Sequence, residues 1–154
     1  MQPGAQLYTV RAFTQTETDF EETIRKIVAI GYKYIQISGA GPIPVQRFAD
    51  ICNSYGIKPV ITHTDPVRIK NETEAVIEDH RLLGAKYIGI GSMPGEYREG
   101  AEGVMQFIED YRPAAEKIKS AGMLFMYHNH DFEFEKLNGI HRMEYLIEGF
   151  LPDS

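Results

Sequence analysis

One pattern recurs four times along this 154-residue sequence: a helix-like stretch ends at a glycine, and a short β-rich run follows. The four segments read IGYKYIQISG, YGIKPVITHT, LGAKYIGIGS and AGMLFMYHNH. Their glycines stand where a helix would stop, a position that favours glycine because the backbone there is often left-handed. Helices that alternate with short apolar strands predict βα units, right-handed crossovers and a parallel sheet. The glycines are Gly31, Gly56, Gly84 and Gly122.

The pattern gives five strands joined by four helical crossovers, and a fifth helix is expected to start near Ile140. Residues 4–11, which read GAQLYTVR, supply the first strand without a preceding helix. Thr18 and Glu21 have the spacing of a capping box at the start of the first helix. Pro113 predicts a break or kink in the fourth helical region, because proline cannot donate the hydrogen bond that a helix interior needs.

Two architectures fit this order: a doubly wound open sheet, or part of a (β/α)₈ barrel. The first turn, TVRAFTQTET, lacks the glycines of a dinucleotide-binding turn, and GIGSMPG lacks a Walker lysine. A whole barrel needs about 250 residues. We therefore expect residues 1–154 to form a single partial (β/α)-barrel domain, truncated before strands six to eight. The ending GFLPDS is typical of a turn that leads into another strand.

Composition excludes several function classes. The formal net charge is −6 and the pI is near 5.4, which disfavours binding to nucleic-acid phosphates. Nothing near the N-terminus resembles a signal peptide, and no apolar run approaches the ~20 residues that cross a membrane. The single cysteine, Cys52, lies among apolar positions of a helix, where a buried thiol is expected. A cytoplasmic protein is the default expectation.

Polar side chains follow nearly every predicted strand, and in a parallel sheet or barrel these ends meet on one side. The densest group is MYHNHDFEFE, in which His128 and His130 are two apart and so project to the same side of an extended strand. Glu133 can join them only if the chain turns after His130. Imidazole and carboxylate groups suit Mn²⁺, Zn²⁺, Fe²⁺ or Co²⁺. The alternative is structural: both histidines bond backbone carbonyls, and His63, which ends the third strand, occupies a polar loop.

The segments GAQLYTVR, ITHT and above all YHNHDFEF resemble the sugar phosphate isomerase/epimerase superfamily, the xylose isomerase-like TIM barrels. The resemblance implies a (β/α)₈ barrel that isomerises or epimerises a sugar or polyol by moving a proton next to a carbonyl. It also implies one divalent metal, with Mn²⁺ foremost and Zn²⁺, Mg²⁺, Co²⁺ or Fe²⁺ as alternatives. Glu133 then matches the first metal ligand and a catalytic residue, and His130 a catalytic acid or base. His63, His128 and Gln6 would contact the sugar.

Strands six to eight would carry the other metal ligands, so the resemblance also implies an incomplete metal site in this chain. The non-enzymatic alternative is a carbohydrate-binding or self-assembling half-barrel module. An endonuclease of the related barrel type is a third candidate, which the acidic charge disfavours. Two open sheet edges, at the first and fifth strands, predict a homo-oligomer.

Overall fold

Five short strands form one parallel sheet in the computed structural model, which describes residues 2–150. Their spatial order follows the sequence, β1-β2-β3-β4-β5, and so lacks the reversal that marks a doubly wound sheet. The prediction of a partial TIM-barrel α/β fold is therefore confirmed. The strands are β1 (Gly4–Gln6), β2 (Tyr34–Ile37), β3 (Lys58–Thr64), β4 (Tyr87–Ile90) and β5 (Leu124–Tyr127).

Helices occupy the crossovers, and each predicted glycine lies just after the end of a helix, in the turn that leads to the next strand. Gly31, Gly56, Gly84 and Gly122 all have left-handed backbones, with φ of 111°, 65°, 67° and 78°. A short helix that the sequence reading missed follows β3, where the Asp65 side chain caps it and Pro66 opens it. The helices are α1 (Glu17–Ile30), α2 (Val45–Ser54), α3 (Pro66–Asn71), α4 (Thr73–Leu83), α5 (Gly100–Ser120) and α6 (Arg142–Phe150).

The first strand is shorter than predicted. It stops at Gln6, and Leu7–Phe13 forms 3₁₀ turns. The Thr9 hydroxyl donates to the Gln6 carbonyl at 2.7 Å, and Arg11 donates to the Tyr8 carbonyl at 2.9 Å. Such bonds to carbonyls three residues back favour a tight turn over an extended strand.

The capping-box prediction for α1 was also wrong. Thr16, rather than Thr18, caps α1, and its hydroxyl accepts from the Asp19 backbone N–H at 3.2 Å. The cap therefore lies two residues earlier than predicted, and Asp19 takes the place expected for Glu21.

The predicted break at Pro113 is absent, because α5 continues from Gly100 to Ser120. Pro113 is exposed, whereas the neighbouring Tyr111 and Ala114 face the core. The carbonyl left without a helical donor therefore faces solvent, where water can satisfy it, and the core-facing side of the helix stays regular.

The chain after β5 forms a short hairpin before the last helix. β6 (Lys136–Leu137) pairs antiparallel with β7 (Ile140–His141), and α6 begins at Arg142. The last predicted helix, expected to start near Ile140, is therefore α6 and starts two residues later. The predicted turn at the end of GFLPDS lies outside the described residues. Within residues 2–150, no helix combines the length and the apolar character needed to cross a bilayer.

Buried apolar side chains fall into two clusters on the helix side of the sheet. The first contains side chains between Leu7 and Ile57, including Cys52 and the edge-to-face pair of Phe20 and Phe48, whose ring centroids are 4.7 Å apart. Burial raises the pKa of the Cys52 thiol to about 12, and the buried thiol predicted from the sequence is confirmed. The second cluster lies between residues 69 and 146 and centres on α5.

The other side of the sheet, which we call the inner face, is left open by the described residues. Ile35 and Ile88 are fully buried against the helices. Tyr87, Leu124 and Met126 have the opposite strand parity and are 38%, 52% and 40% exposed. The inner face is thus an accessible surface, polar at the carboxyl ends of the strands and apolar below them.

Candidate functional site

Three histidines form a row across the carboxyl ends of β3 and β5. The ring centroids of His63 and His128 are 4.9 Å apart, and those of His128 and His130 are 5.1 Å apart. Parallel pairing aligns the strand ends, since His63 is in register with Gly89 and the His128 N–H donates to the Ile90 carbonyl at 3.0 Å. The sequence prediction that these strand ends meet is confirmed by this row.

Gln36 extends the row onto β2. Its amide nitrogen lies 2.5 Å from His63 Nε2, so the amide donates and the ring nitrogen accepts. Nδ1 of the neutral ring then carries the hydrogen. Glycine at position 91 leaves room for this ring, because a Cβ there would lie 3.0 Å from His63 Nδ1, which is a tight contact.

Burial sets the charge state of His63. Burial, followed by repulsion from His128 and His130, lowers the pKa of His63 to about 4. The ring is therefore neutral at pH 7. Because Nε2 already accepts from Gln36, the neutral ring can offer a hydroxyl group only the hydrogen on Nδ1.

His130 is held by a stack of planar groups. Its ring lies parallel to Phe132, with centroids 5.9 Å apart, and the Arg98 guanidinium lies 4.5 Å from the centre of the Phe132 ring. Arg98 donates in turn to the Met93 carbonyl and the Ser92 hydroxyl, both at 2.8 Å. The loop after β4 therefore positions a histidine of the loop after β5.

Glu133 follows His130 by three residues in the segment after β5 and is fully buried. One carboxylate oxygen accepts from the Tyr127 hydroxyl, and the other accepts from the His130 backbone N–H at 2.6 Å. Tyr127 also accepts from the Met93 N–H at 3.2 Å. Burial, followed by the bond to Glu133, raises the pKa of Tyr127. The chain does turn after His130, as the prediction for Glu133 required. The turn is a one-turn 3₁₀ helix (Phe132–Phe134) capped by Asp131.

The donor set does not fit a divalent metal as it stands. Both oxygens of Glu133 already accept hydrogen bonds. Across residues 2–150, no group of three or more histidine, cysteine or acidic side chains is arranged to hold an ion. The assignment of Glu133 as a metal ligand and catalytic residue stays a prediction.

A cavity of about 200 Å³ opens on the inner face beside the histidine row. Gln36, His63 and His128 supply its polar groups, and Ile61 and Met126 are among its apolar ones. Gln6 lies one strand away, in register with Gln36. Four of the five predicted site residues thus lie on or beside one surface, while Glu133 is buried below it.

Sequence reasoning missed the side chains that support the row. Arg98 lies between β4 and α5, and Arg142 lies 44 residues further along the chain. Arg142 donates to the Arg98 carbonyl at 2.7 Å, and its guanidinium lies 5.5 Å from the centre of the Phe132 ring. No local pattern marks such a long-range pair. Tyr127 offered a weak signal, as an aromatic at the end of the strand that leads to the histidines.

The sequence matches no protein-family model and no curated protein. Solved structures do match. One is a sugar phosphate isomerase/epimerase from Parabacteroides distasonis, with a TM-score of 0.74 and 20% identity over 88% of this chain and 53% of that one. A D-allulose 3-epimerase from Methylomonas sp., in complex with D-allulose, gives a TM-score of 0.66 and 15% identity over 97% and 59%.

A third match is a family 2 AP endonuclease from Brucella melitensis, with a TM-score of 0.62 and 16% identity over 82% of this chain and 55% of that one. The chain spans about half the length of each of these three structures. At these identities the likeness establishes the fold, and the predicted resemblance to xylose isomerase-like TIM barrels is confirmed at that level.

Proposed function

We propose that this chain provides the sugar-binding surface of a barrel that isomerises or epimerises a sugar or polyol. The observation that carries the proposal is the row formed by His63, His128 and His130, which adjoins an open cavity at the carboxyl ends of the strands. Active sites of TIM barrels lie at this end. Several solved structures of the same fold are named as sugar isomerases or epimerases.

The row offers the groups that such a ligand requires. Sugar hydroxyls need partners that donate and accept: neutral His63 can donate through Nδ1, and the carbonyl oxygen of the Gln36 amide can accept. His128 and His130 are exposed, and histidine can transfer protons near neutral pH. In this proposal His63 and Gln6 orient the sugar, His128 contacts a hydroxyl, and His130 moves the proton next to the carbonyl.

Binding and proton transfer can be tested separately. Long-range ¹H–¹⁵N NMR of the imidazoles, with D-allulose or L-ribulose as the probe, should show shifts at His63 and His128. The variant His128→Ala should weaken binding several-fold. The matched control His141→Asn alters a histidine of β7 outside the row and should leave binding unchanged.

Proton transfer is followed by incubating the sugar in D₂O and measuring deuterium at the carbon next to the carbonyl. Deuterium that disappears in His130→Gln supports the proposal. Imidazole shifts without incorporation of deuterium would favour the carbohydrate-binding alternative. If both signals are absent, the enzymatic and the carbohydrate-binding proposals are both overturned.

We also propose a divalent metal, with Mn²⁺ as the first candidate, although no step above depends on it. Glu133 would have to release the Tyr127 hydroxyl or the His130 N–H, and further ligands would have to come from beyond residues 2–150. Titration with Mn²⁺ tests this, since a bound paramagnetic ion broadens nearby NMR signals. Broadening around Glu133 that is lost in Glu133→Gln supports the role, and uniform weak broadening contradicts it.

A further inference from the structure

A second cavity, of about 250 Å³, lies where the carboxyl ends of β2 and β3 meet helices α2 and α4. Ile37, Phe48 and Val76 form part of its apolar wall, and His63 lines both this cavity and the one on the inner face. Water occupies ~30 Å³ per molecule in the liquid. The space is therefore much larger than one structural water needs.

Ser38 gives this cavity an unpaired polar group. The residue lines the cavity and is 2% exposed, and its hydroxyl has no hydrogen-bond partner among the described residues. Buried hydroxyls are nearly always bonded, because leaving one unpaired destabilises the fold. An unpaired hydroxyl on the wall of a cavity indicates a partner that enters from outside.

A chain of hydrogen bonds fixes what the neighbouring Thr64 can offer. His80 Nδ1 lies 2.7 Å from the Val76 carbonyl, which only accepts, so Nδ1 carries the hydrogen. Burial lowers the pKa of His80, so the ring is neutral and Nε2 accepts from the Thr62 hydroxyl at 2.7 Å. Thr62 has then used its only hydrogen and must accept from Thr64, also at 2.7 Å. The Thr64 oxygen is left as an acceptor, so a ligand that bonds it has to be the donor.

The charges around the cavity disfavour an anion. Arg68 is neutralised by Asp79 at 3.0 Å and by Glu72 at 3.2 Å. Asp65 also lines the cavity, and its carboxylate accepts from the Val67 N–H at 2.9 Å. Among the charged side chains on the wall, two are acidic and one is basic, and both histidines there are neutral at pH 7.

We infer that this cavity receives the hydroxyl-bearing end of a neutral sugar or polyol, which donates to Thr64 and pairs with Ser38, and that it rejects phosphorylated ligands. The inference rests on the proposed function, since His63 lines both this cavity and the one beside the histidine row. It adds the substrate class: the sugar is not phosphorylated at the end that enters the cavity.

Removing the unpaired hydroxyl tests this, because it separates stability from binding. In Ser38→Ala the melting temperature of the apo protein should not fall, since the hydroxyl bonds no protein group among the described residues. Its affinity for D-allulose should fall about three- to tenfold, the loss of one hydrogen bond. Thr64→Val should also bind more weakly, and Thr64→Ser, which keeps the hydroxyl, should restore binding. Ser120→Ala, at an exposed helix end, is the matched control.

Amide NMR with D-allulose, D-allulose 6-phosphate and inorganic phosphate gives the decisive readout. Shifts at the Ser38 and Thr64 amides with the free sugar only, reduced in Ser38→Ala, support the inference. Equal shifts with either phosphate probe overturn it. Shifts at the imidazoles of the row without shifts at these amides also overturn it, because the cavity then holds only water, while the proposed function stands.

Discussion

The bond between Tyr127 and Glu133 can be tested by removing one oxygen atom. In Tyr127→Phe the ring still packs against Phe107, whose centroid is 5.9 Å away. The buried carboxylate loses a donor, and the Met93 N–H loses its acceptor. A hydrogen bond to a charged group contributes about 1.5–3 kcal/mol, and a neutral one about 1 kcal/mol. The free energy of unfolding should therefore fall by about 2.5–4 kcal/mol.

Urea denaturation at pH 7, followed by circular dichroism, measures this loss. The matched control is Tyr87→Phe, which removes a hydroxyl from a 38% exposed ring on the inner face and should change stability by less than about 0.5 kcal/mol. Equal, small effects of the two variants would refute the reasoning, because Glu133 would then not depend on Tyr127. A large effect of Tyr127→Phe alone would support it.

Four further predictions follow from burial, close contact and edge exposure. Because the folded pKa of His63, about 4, lies below its ordinary 6.5, the unfolded chain binds the proton first, and this group should lower the free energy of unfolding by about 1–2 kcal/mol from pH 7 to pH 5. In His63→Asn the loss measured by denaturation curves should shrink by that amount, while the part that comes from buried His80, whose pKa is also lowered, remains. Gly89→Ala places a Cβ 2.3 Å from the Thr62 carbonyl oxygen, so the melting temperature should drop with a loss of about 1–3 kcal/mol; wild-type melting would contradict the contact. Cys52 should react with a disulfide reagent only in denaturant, and rapid labelling of the folded protein would show that it is accessible. The apolar β5 edge should promote self-association, visible by light scattering as mass above 17.5 kDa; a monomer at all concentrations would contradict it.

The strands and most helices were predictable because their signals are local. Short apolar runs bounded by glycine mark buried parallel strands, and all four repeats gave one. The errors arose where side chains bond the backbone or where exposure decides the outcome. Thr9 and Arg11 bond carbonyls and shorten β1, and solvent on the side of Pro113 lets α5 continue through it.

The site was predictable in outline, because parallel strands carry their final residues to one edge. His63, His128 and His130 were found in this way. The burial of Glu133 was not, since it depends on the bonds that the Tyr127 hydroxyl and the His130 N–H make to its carboxylate, and the spacing of these residues does not reveal those bonds. In the sequence Ser38 is one polar residue after β2, and its unpaired state appears only once the surrounding helices are in place.

The two core clusters have a consequence for synthesis on the ribosome. All buried members of the first cluster lie between Leu7 and Ile57, and those of the second lie between Ile69 and Leu146. The first can assemble soon after about sixty residues have left the exit tunnel, while the second half is still being translated. Nascent chains arrested beyond that length should already protect Cys52 from labelling, with α1 and α2 folded over the first three strands.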